Sequence, residues 1–194
     1  EDSLLAAINM QKKVAEYNVY RQEKGRKSIK IGIGLNTGSL MLGVIGDGRR
    51  TDTSVVADAV NTASRMEGLT KYYGVSIVVS ETTFGGITNQ DNYHYRFLDK
   101  VQVKGRTQPL SIYEVFDADP DDLLERKLQT QSLFAEGQQH YFARAFADAL
   151  KCFTDVLTVL PEDLTTKHYL ERSSKFLLEG VPDDWQGIRT MDTK

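Results

Sequence analysis

Asp117-Ala-Asp-Pro-Asp-Asp122 places four acids and a proline in six residues and divides the chain into two stretches of different periodicity. Proline biases the residue before it away from helix, and like charges repel, so the segment reads as a solvated linker or the start of a helix. Ahead of it, helix and strand patterns alternate. Leu4, Leu5, Ile8, Met10, Val14 and Tyr17 predict a helix over 1–24. Residues 29–35 and 40–45 read as two strands joined at Asn36-Thr37-Gly38 into a hairpin, followed by a polar loop over 46–53. A helix over 58–70 that ends near Gly68, a strand over 75–79, a short helix over 81–90 and strands over 93–103 and 109–116 complete this stretch. Beyond it, helical spacing runs over 121–143, 145–160 and 163–179. Mixed elements followed by helices alone predict an α+β domain over 1–117 with a helical extension over 118–194.

Within the extension, Leu133, Gly137, Ala149, Phe153 and Pro161 match the spacing of small and large residues in a tetratricopeptide helix pair. Such pairs bury their faces by stacking on one another, so a single match also fits a helical hairpin packed against the first domain. Either arrangement places Cys152 on a helix as a small apolar residue.

The 24 cations nearly balance the 27 acids, leaving a formal charge of −3 and no electrostatic case for nucleic acid or an anionic membrane surface. With 40% apolar and 26% charged residues the chain is composed to fold. Its apolar runs are too short to span a bilayer, and Glu1-Asp2-Ser3 does not open a signal peptide. One cysteine allows neither an internal disulfide nor a zinc cluster of cysteines, which fits a reducing, cytoplasmic compartment. His94, His140 and His168 are scattered without ligand spacing, and no metal ligand is assigned.

Gly32-Ile-Gly-Leu-Asn-Thr-Gly38 has the spacing G-x-G-x-x-x-G and leads to a strand, so it is not a dinucleotide loop. It reads as a tight hairpin or as a strand over which a ligand passes closely. On the 58–70 helix, Ala59, Val60, Ala63, Met66 and Thr70 predict a core stripe. Asn61 and Arg65, four apart, are neighbours pointing almost oppositely, toward solvent, a cleft or a partner chain. Arg49, Arg50 and Lys104 in flanking loops, with the Ser54 hydroxyl ahead of the helix start, suit a polyphosphate.

Several separated segments together resemble the class III nucleotidyl cyclases. They are Ile31-Gly-Ile-Gly-Leu-Asn-Thr-Gly38, Gly43-Val-Ile-Gly46, Arg50-Thr-Asp-Thr-Ser-Val-Val-Ala-Asp-Ala-Val-Asn-Thr-Ala-Ser-Arg-Met-Glu67, Tyr73-Gly74 and Val103-Lys-Gly-Arg106. The likeness covers about residues 1–117, and the segment ending in Pro182-Asp-Asp-Trp185 resembles a helical extension of bacterial multidomain cyclases. It implies a ferredoxin-like catalytic domain that closes a nucleoside triphosphate into a 3′,5′-cyclic monophosphate with release of pyrophosphate. In such enzymes two divalent ions, Mg²⁺ or Mn²⁺, assist attack of the ribose 3′-oxygen on the α-phosphorus. By the same resemblance Asn61 orients the ribose and Arg65 stabilises charge growing at the α-phosphate. Lys104 holds the terminal phosphates, and Arg49 or Arg50 reaches the phosphates of a partner's site. Ser54 occupies the base-selecting position, where a hydroxyl favours ATP.

Ala57 stands where the family has glycine. The family's metal-binding aspartates, and a lysine that reads the base, belong ahead of residue 1. The resemblance therefore implies the C-terminal part of a cyclase domain, working as a homodimer or with a complementary half, and inactive alone. It implies no membrane contact by this segment, although a parent protein anchored through upstream segments is compatible. Two other readings are a guanylate cyclase and a non-catalytic regulatory or scaffolding piece; Asn61, Arg65 and Lys104 together favour the enzyme.

Overall fold

The computed structural model describes residues 1–47, 50–56, 58–103 and 108–191, with backbone alone for 41–47, 50–56 and 103. In chain order the elements are α1 (Asp2–Glu23), β1 (Ile33–Leu35), β2 (Met41–Asp47), β3 (Arg50–Val56), α2 (Asp58–Tyr73), β4 (Ile77–Ser80) and α3 (Glu81–Gly85). There follow β5 (Tyr95–Val103), β6 (Leu110–Val115), α4 (Asp121–Phe142), α5 (Phe146–Val159), α6 (Leu164–Glu179) and β7 (Arg189–Met191). A single-turn 3₁₀ helix, Gln90–Asn92, follows α3, so the expected helix over 81–90 is two shorter pieces.

Five strands form one sheet in the order β1-β4-β6-β5-β7, and β2 and β3 form a separate ribbon. The fold is α+β, as expected, but the hairpin is not where the spacing put it. β1 pairs in parallel with β4, Gly34 opposite Val78, while β2 pairs with β3. Residues 50–53, expected in a polar loop, are the first part of β3. The strand expected over 29–35 is reduced to Ile33–Leu35, because only that part meets β4. The glycines explain the partner. A Cβ on Gly34 would collide with the backbone of α2 at Ala63 and Glu67, and one on Gly32 with Thr70. Close approach of α2, not of a ligand, is what these two glycines permit.

All four β4 residues are buried, because both faces of the sheet are covered. Ile77 and Val79 pack with Leu4, Ala7 and Ile8 of α1 and Phe84 of α3. Val78 packs with Met66, Leu69 and Tyr73 of α2 and with Leu98, Leu110 and Ile112 on the opposite face. On α1, Leu5, Met10 and Tyr17 are exposed, and Gln11 is buried instead, donating to Ile31 O at 2.9 Å and Ser76 O at 3.1 Å. α2 continues through Gly68 and stops before Gly74, whose φ of +70° is the left-handed conformation that ends a helix.

The extension lies on the α2 face. Its three helices close a core of Phe134, Tyr141, Phe146, Ala149, Phe153, Val156 and Tyr169. The α4–α5 pair meets at Gly137, Cys152 and Phe153, and it is the sheet and α6, not a second repeat, that cover it. β7 then joins the edge of the sheet beside β5 and buries Met191, a strand that spacing did not signal.

The junction is ionic and buried. Register places Arg96, Glu114 and Val78 side by side across β5, β6 and β4, so two charges stand on a buried face of the sheet. Arg96 donates to Glu114 at 2.6 Å and grips Asp163, in the α5–α6 connection, through both terminal nitrogens at 2.7 and 2.9 Å. Lys127 of α4 bridges Glu114 and Asp119. Asp119 is thus pinned, and the expected solvated linker is partly buried; Asp117 in turn accepts from His94 N at 3.0 Å. Burial acts to lower the Arg96 pKa, but the Glu114 and Asp163 carboxylates raise it above its usual value, so the cation is secure. A β-bulge between Phe97 and Asp99 turns the Asp99 side chain into a second buried cluster. There it accepts from Tyr73 Oη at 3.0 Å and pairs with Arg172 of α6 at 2.9 Å.

The extension also finishes α2. The Thr165 hydroxyl donates to Tyr73 O at 3.2 Å, and His168 Nε2 lies 3.0 Å from Tyr72 O with its ring stacked 4.1 Å from that of Tyr72. These carbonyls belong to the last turn, whose acceptors have no partner within the helix. Because a carbonyl only accepts, Nε2 carries the proton here.

Two outcomes are expected. Arg96→Met leaves Glu114 and Asp163 buried without their shared cation and should lower the unfolding free energy by about 3–5 kcal/mol in denaturant titration. The second concerns pH. Burial depresses the His168 pKa from 6.5, the hydrogen bond to Tyr72 only partly opposing it. The neutral ring's contribution is therefore complete above pH 6.5 and lost as pH falls through 6.5 toward the lower folded value. His168→Gln keeps a donor without the titration. Its melting temperature should fall less than the parent's between about pH 7.5 and 5.5; equal falls would exclude His168 as the source.

Candidate functional site

Asn61 and Arg65 stand on α2, a helix whose buried residues are Thr62, Met66, Leu69, Thr70 and Tyr73. At about 100° per residue that stripe differs from the expected one by a small rotation. Val60 is 46% exposed and occupies the far side, Ala59 and Ala63 are not fully buried, and only Met66 and Thr70 of the expected set belong to the core. The rotation moves the pair from opposite the core to its flank. Asn61 is exposed and Arg65 half-buried, on the part of α2 away from the extension. The sheet and α6 thus fix the helix while leaving these two side chains unclaimed by the core.

The start of α2 is tied down separately. Asn36, in the turn after β1, donates from Nδ2 to Ala59 O at 3.1 Å. Its neighbour Thr37 accepts from the Thr83 hydroxyl at 3.0 Å, and Thr83 also lies 2.9 Å from the Ser80 hydroxyl that caps α3. The Asn-Thr-Gly turn therefore links the openings of α2 and α3. Sequence reasoning identified it as a turn and missed its positioning role. A short polar side chain in a turn beside a helix start is the signal that could have found it.

The remaining candidates are only partly placed. Ser54 lies on β3 opposite Gly43, and Arg50 opens that strand opposite Asp47. The Ser54 and Arg50 side chains, and Arg49 and Lys104 altogether, lie outside the described residues. Of the six candidates, the structure brings together Asn61 and Arg65 and puts Ser54 in the strand that leads into their helix.

The described residues do not fit a pair of divalent ions at this site. The acids on α2 are Asp58 and Glu67, both exposed and separated by more than two turns. Among the described residues the one group of three convergent metal-ligand types is Glu136, His140 and Cys152, on α4 and α5. Hard divalent ions need converging oxygen ligands, which this part of the molecule does not assemble. Among the described residues, no helix is long and apolar enough to cross a membrane.

Comparison with known proteins bears on this geometry. Residues 1–116 match the family described as "Adenylate and Guanylate cyclase catalytic domain". The chain is 40% identical over 118 residues to an adenylate cyclase of Anabaena cylindrica, covering 58% of this chain and 24% of that protein. It is 33% identical over 146 residues to the terminal-differentiation-specific adenylate cyclase of Dictyostelium discoideum, covering 75% of this chain and 7% of that protein. That alignment is too long to stop at residue 116, so it reaches into the helical extension. Among solved structures, the guanylyl cyclase Cya2 is 30% identical with a TM-score of 0.47, over 58% of this chain and 55% of that one. The chain spans less than a quarter of the length of the two curated relatives. With residues 1–116 matched, this chain belongs to the adenylate and guanylate cyclase catalytic-domain family.

Proposed function

We propose that this chain supplies the ribose-orienting, charge-stabilising and base-reading side of an adenylate cyclase site that converts ATP into 3′,5′-cyclic AMP and pyrophosphate. The observation that carries the reading is the pair Asn61 and Arg65, one turn apart on a helix fixed at both ends and kept out of the core. Attack of the ribose 3′-oxygen on the α-phosphorus moves negative charge onto the non-bridging and leaving oxygens. A guanidinium that is already oriented stabilises that charge without reorganising at the moment of reaction. Arg65 has this role. Asn61, a neutral donor and acceptor on the same face, holds the ribose so that the 3′-oxygen is in line.

Ser54 reads the base. A hydroxyl both donates and accepts, and so can pair with the adenine edge. Lys104 binds the terminal phosphates, and one of Arg49 and Arg50 reaches the phosphates in the site of a partner subunit. The divalent ions of this chemistry are held by carboxylates outside the described residues of this chain. The assay therefore uses the assembled cyclase, either a homodimer of the parent chain or this chain with a complementary half.

In that assembly Arg65→Ala should lower kcat by about 10²–10³ with a much smaller change in KM, the cost of one preorganised donor. Its melting temperature should be nearly unchanged, since the residue is outside the core. Unchanged turnover would remove Arg65 from the site. Ser54→Ala should weaken the preference for ATP over GTP by about 1–3 kcal/mol in the ratio of kcat/KM values. If the ratio does not move, the base is read elsewhere; if GTP is preferred by the parent, the chain serves a guanylate cyclase.

A further inference from the structure

Outside the site, one group of three convergent metal-ligand side chains stands among the described residues. Glu136 and His140 lie one turn apart on α4, and Cys152 reaches them from α5. One ligand atom from each, a carboxylate oxygen, an imidazole nitrogen and the sulfur, lies within 4.8 Å of the other two. Glu136 Oε1 and His140 Nε2 are already 3.7 Å apart. The thiol is buried, the imidazole half-exposed and the carboxylate exposed, so solvent reaches two of the three groups.

The helix crossing accounts for the convergence. At Gly137 the two helices come so close that a Cβ there would stand 3.0 Å from Cys152 Cβ and 2.7 Å from the Phe153 ring. That contact brings Cys152 against α4 between the positions of Glu136 and His140. The backbone distance is set by the packing of Phe153 and Ala149, both fully buried, and does not depend on the polar groups.

We propose that Glu136, His140 and Cys152 form a binding site for a zinc-class divalent ion that bridges α4 and α5. The donor set selects the ion. Thiolate and imidazole favour a borderline ion of the zinc type, whereas Mg²⁺ and Mn²⁺ prefer oxygen ligands. Bonds of roughly 2.0–2.3 Å in tetrahedral geometry bring ligand atoms to within about 3.3–3.8 Å of one another. Glu136 and His140 already stand at such a spacing, and closing on the sulfur requires only rotation of two side chains that solvent reaches. Solvent completes the fourth position. On coordination the thiol gives its proton to water, and the ion then clamps two helices that meet only through apolar packing at this point. The site is separate from cyclase chemistry and does not depend on the function proposed above.

The test uses the full chain, stripped with chelator and titrated with Co²⁺ and then Zn²⁺. One equivalent of Co²⁺ should produce a near-ultraviolet thiolate charge-transfer band, and Zn²⁺ should abolish it by displacement while excess Mg²⁺ should not. Zn²⁺ should also raise the melting temperature. Cys152→Ala should remove the band, and His140→Gln, at a half-exposed position where the fold is not at risk, should weaken binding by at least about tenfold. Glu136→Gln should weaken it less. A wild-type protein without the band overturns the proposal. So does a band or a zinc-dependent melting shift that survives undiminished in Cys152→Ala or His140→Gln.

Discussion

A buried guanidinium dictates how the two parts of this molecule meet. Arg96 is carried by β5 onto a buried face of the sheet, and an unpaired charge there would be prohibitively costly. Glu114 on the neighbouring strand answers part of it. Two terminal nitrogens remain, and their geometry matches one carboxylate held in their plane, which Asp163 provides from the α5–α6 connection. With Asp163 in place the helical extension has one orientation on the sheet. Lys127 then neutralises the remaining acids, Glu114 and Asp119, and so fixes where α4 begins. Such a network stabilises less than an equal volume of apolar packing, but it tolerates far fewer alternatives.

The consequence for function runs through α6. Placed by Asp163, it brings Arg172 to Asp99, the ring of Tyr169 under that guanidinium, and Thr165 and His168 to the terminal carbonyls of α2. The helix bearing Asn61 and Arg65 is thereby held at one end by the extension and at the other by Asn36. A group that stabilises charge in a transition state is effective only when it is oriented beforehand. The proposed chemistry thus draws on contacts made about two or three helical turns away, by a part of the chain that carries none of the candidate cyclase residues.

Much of this was legible in the residues. The helical spacing of α4, α5 and α6 survived folding nearly to the residue, because amphipathic periodicity over many turns is a local property. Asn61 and Arg65 are legible as a pair off the core for the same reason, since their separation of four is readable on any helix; the roles proposed for them come from the resemblance and not from the pattern. The register of the core stripe on their helix was not legible. Thr62 is buried and Val60 exposed, the reverse of what hydrophobicity suggests, because the neighbouring elements and not the apolar pattern decide which side of α2 is covered; the chain at Gly32 and Gly34, for one, comes against Ala63, Glu67 and Thr70. The spacing of Gly32 and Gly34 suits a turn or a passing ligand; in the fold they make room for a helix.

Local sequence determined which long segments are helix or strand and which residue types could carry chemistry. Tertiary structure decided strand partners, since pairing is a contest between distant segments: β1 left its neighbour β2 for β4, and β7 crossed the whole extension to join β5. It also decided the meaning of charges. Asp163 and Arg96 look like surface residues in the sequence, and the bulge that turns Asp99 inward has no local signature. The physical reason is range. Periodicity and turn chemistry act over a few residues, whereas desolvation of a charge is settled only when every element that surrounds it has arrived.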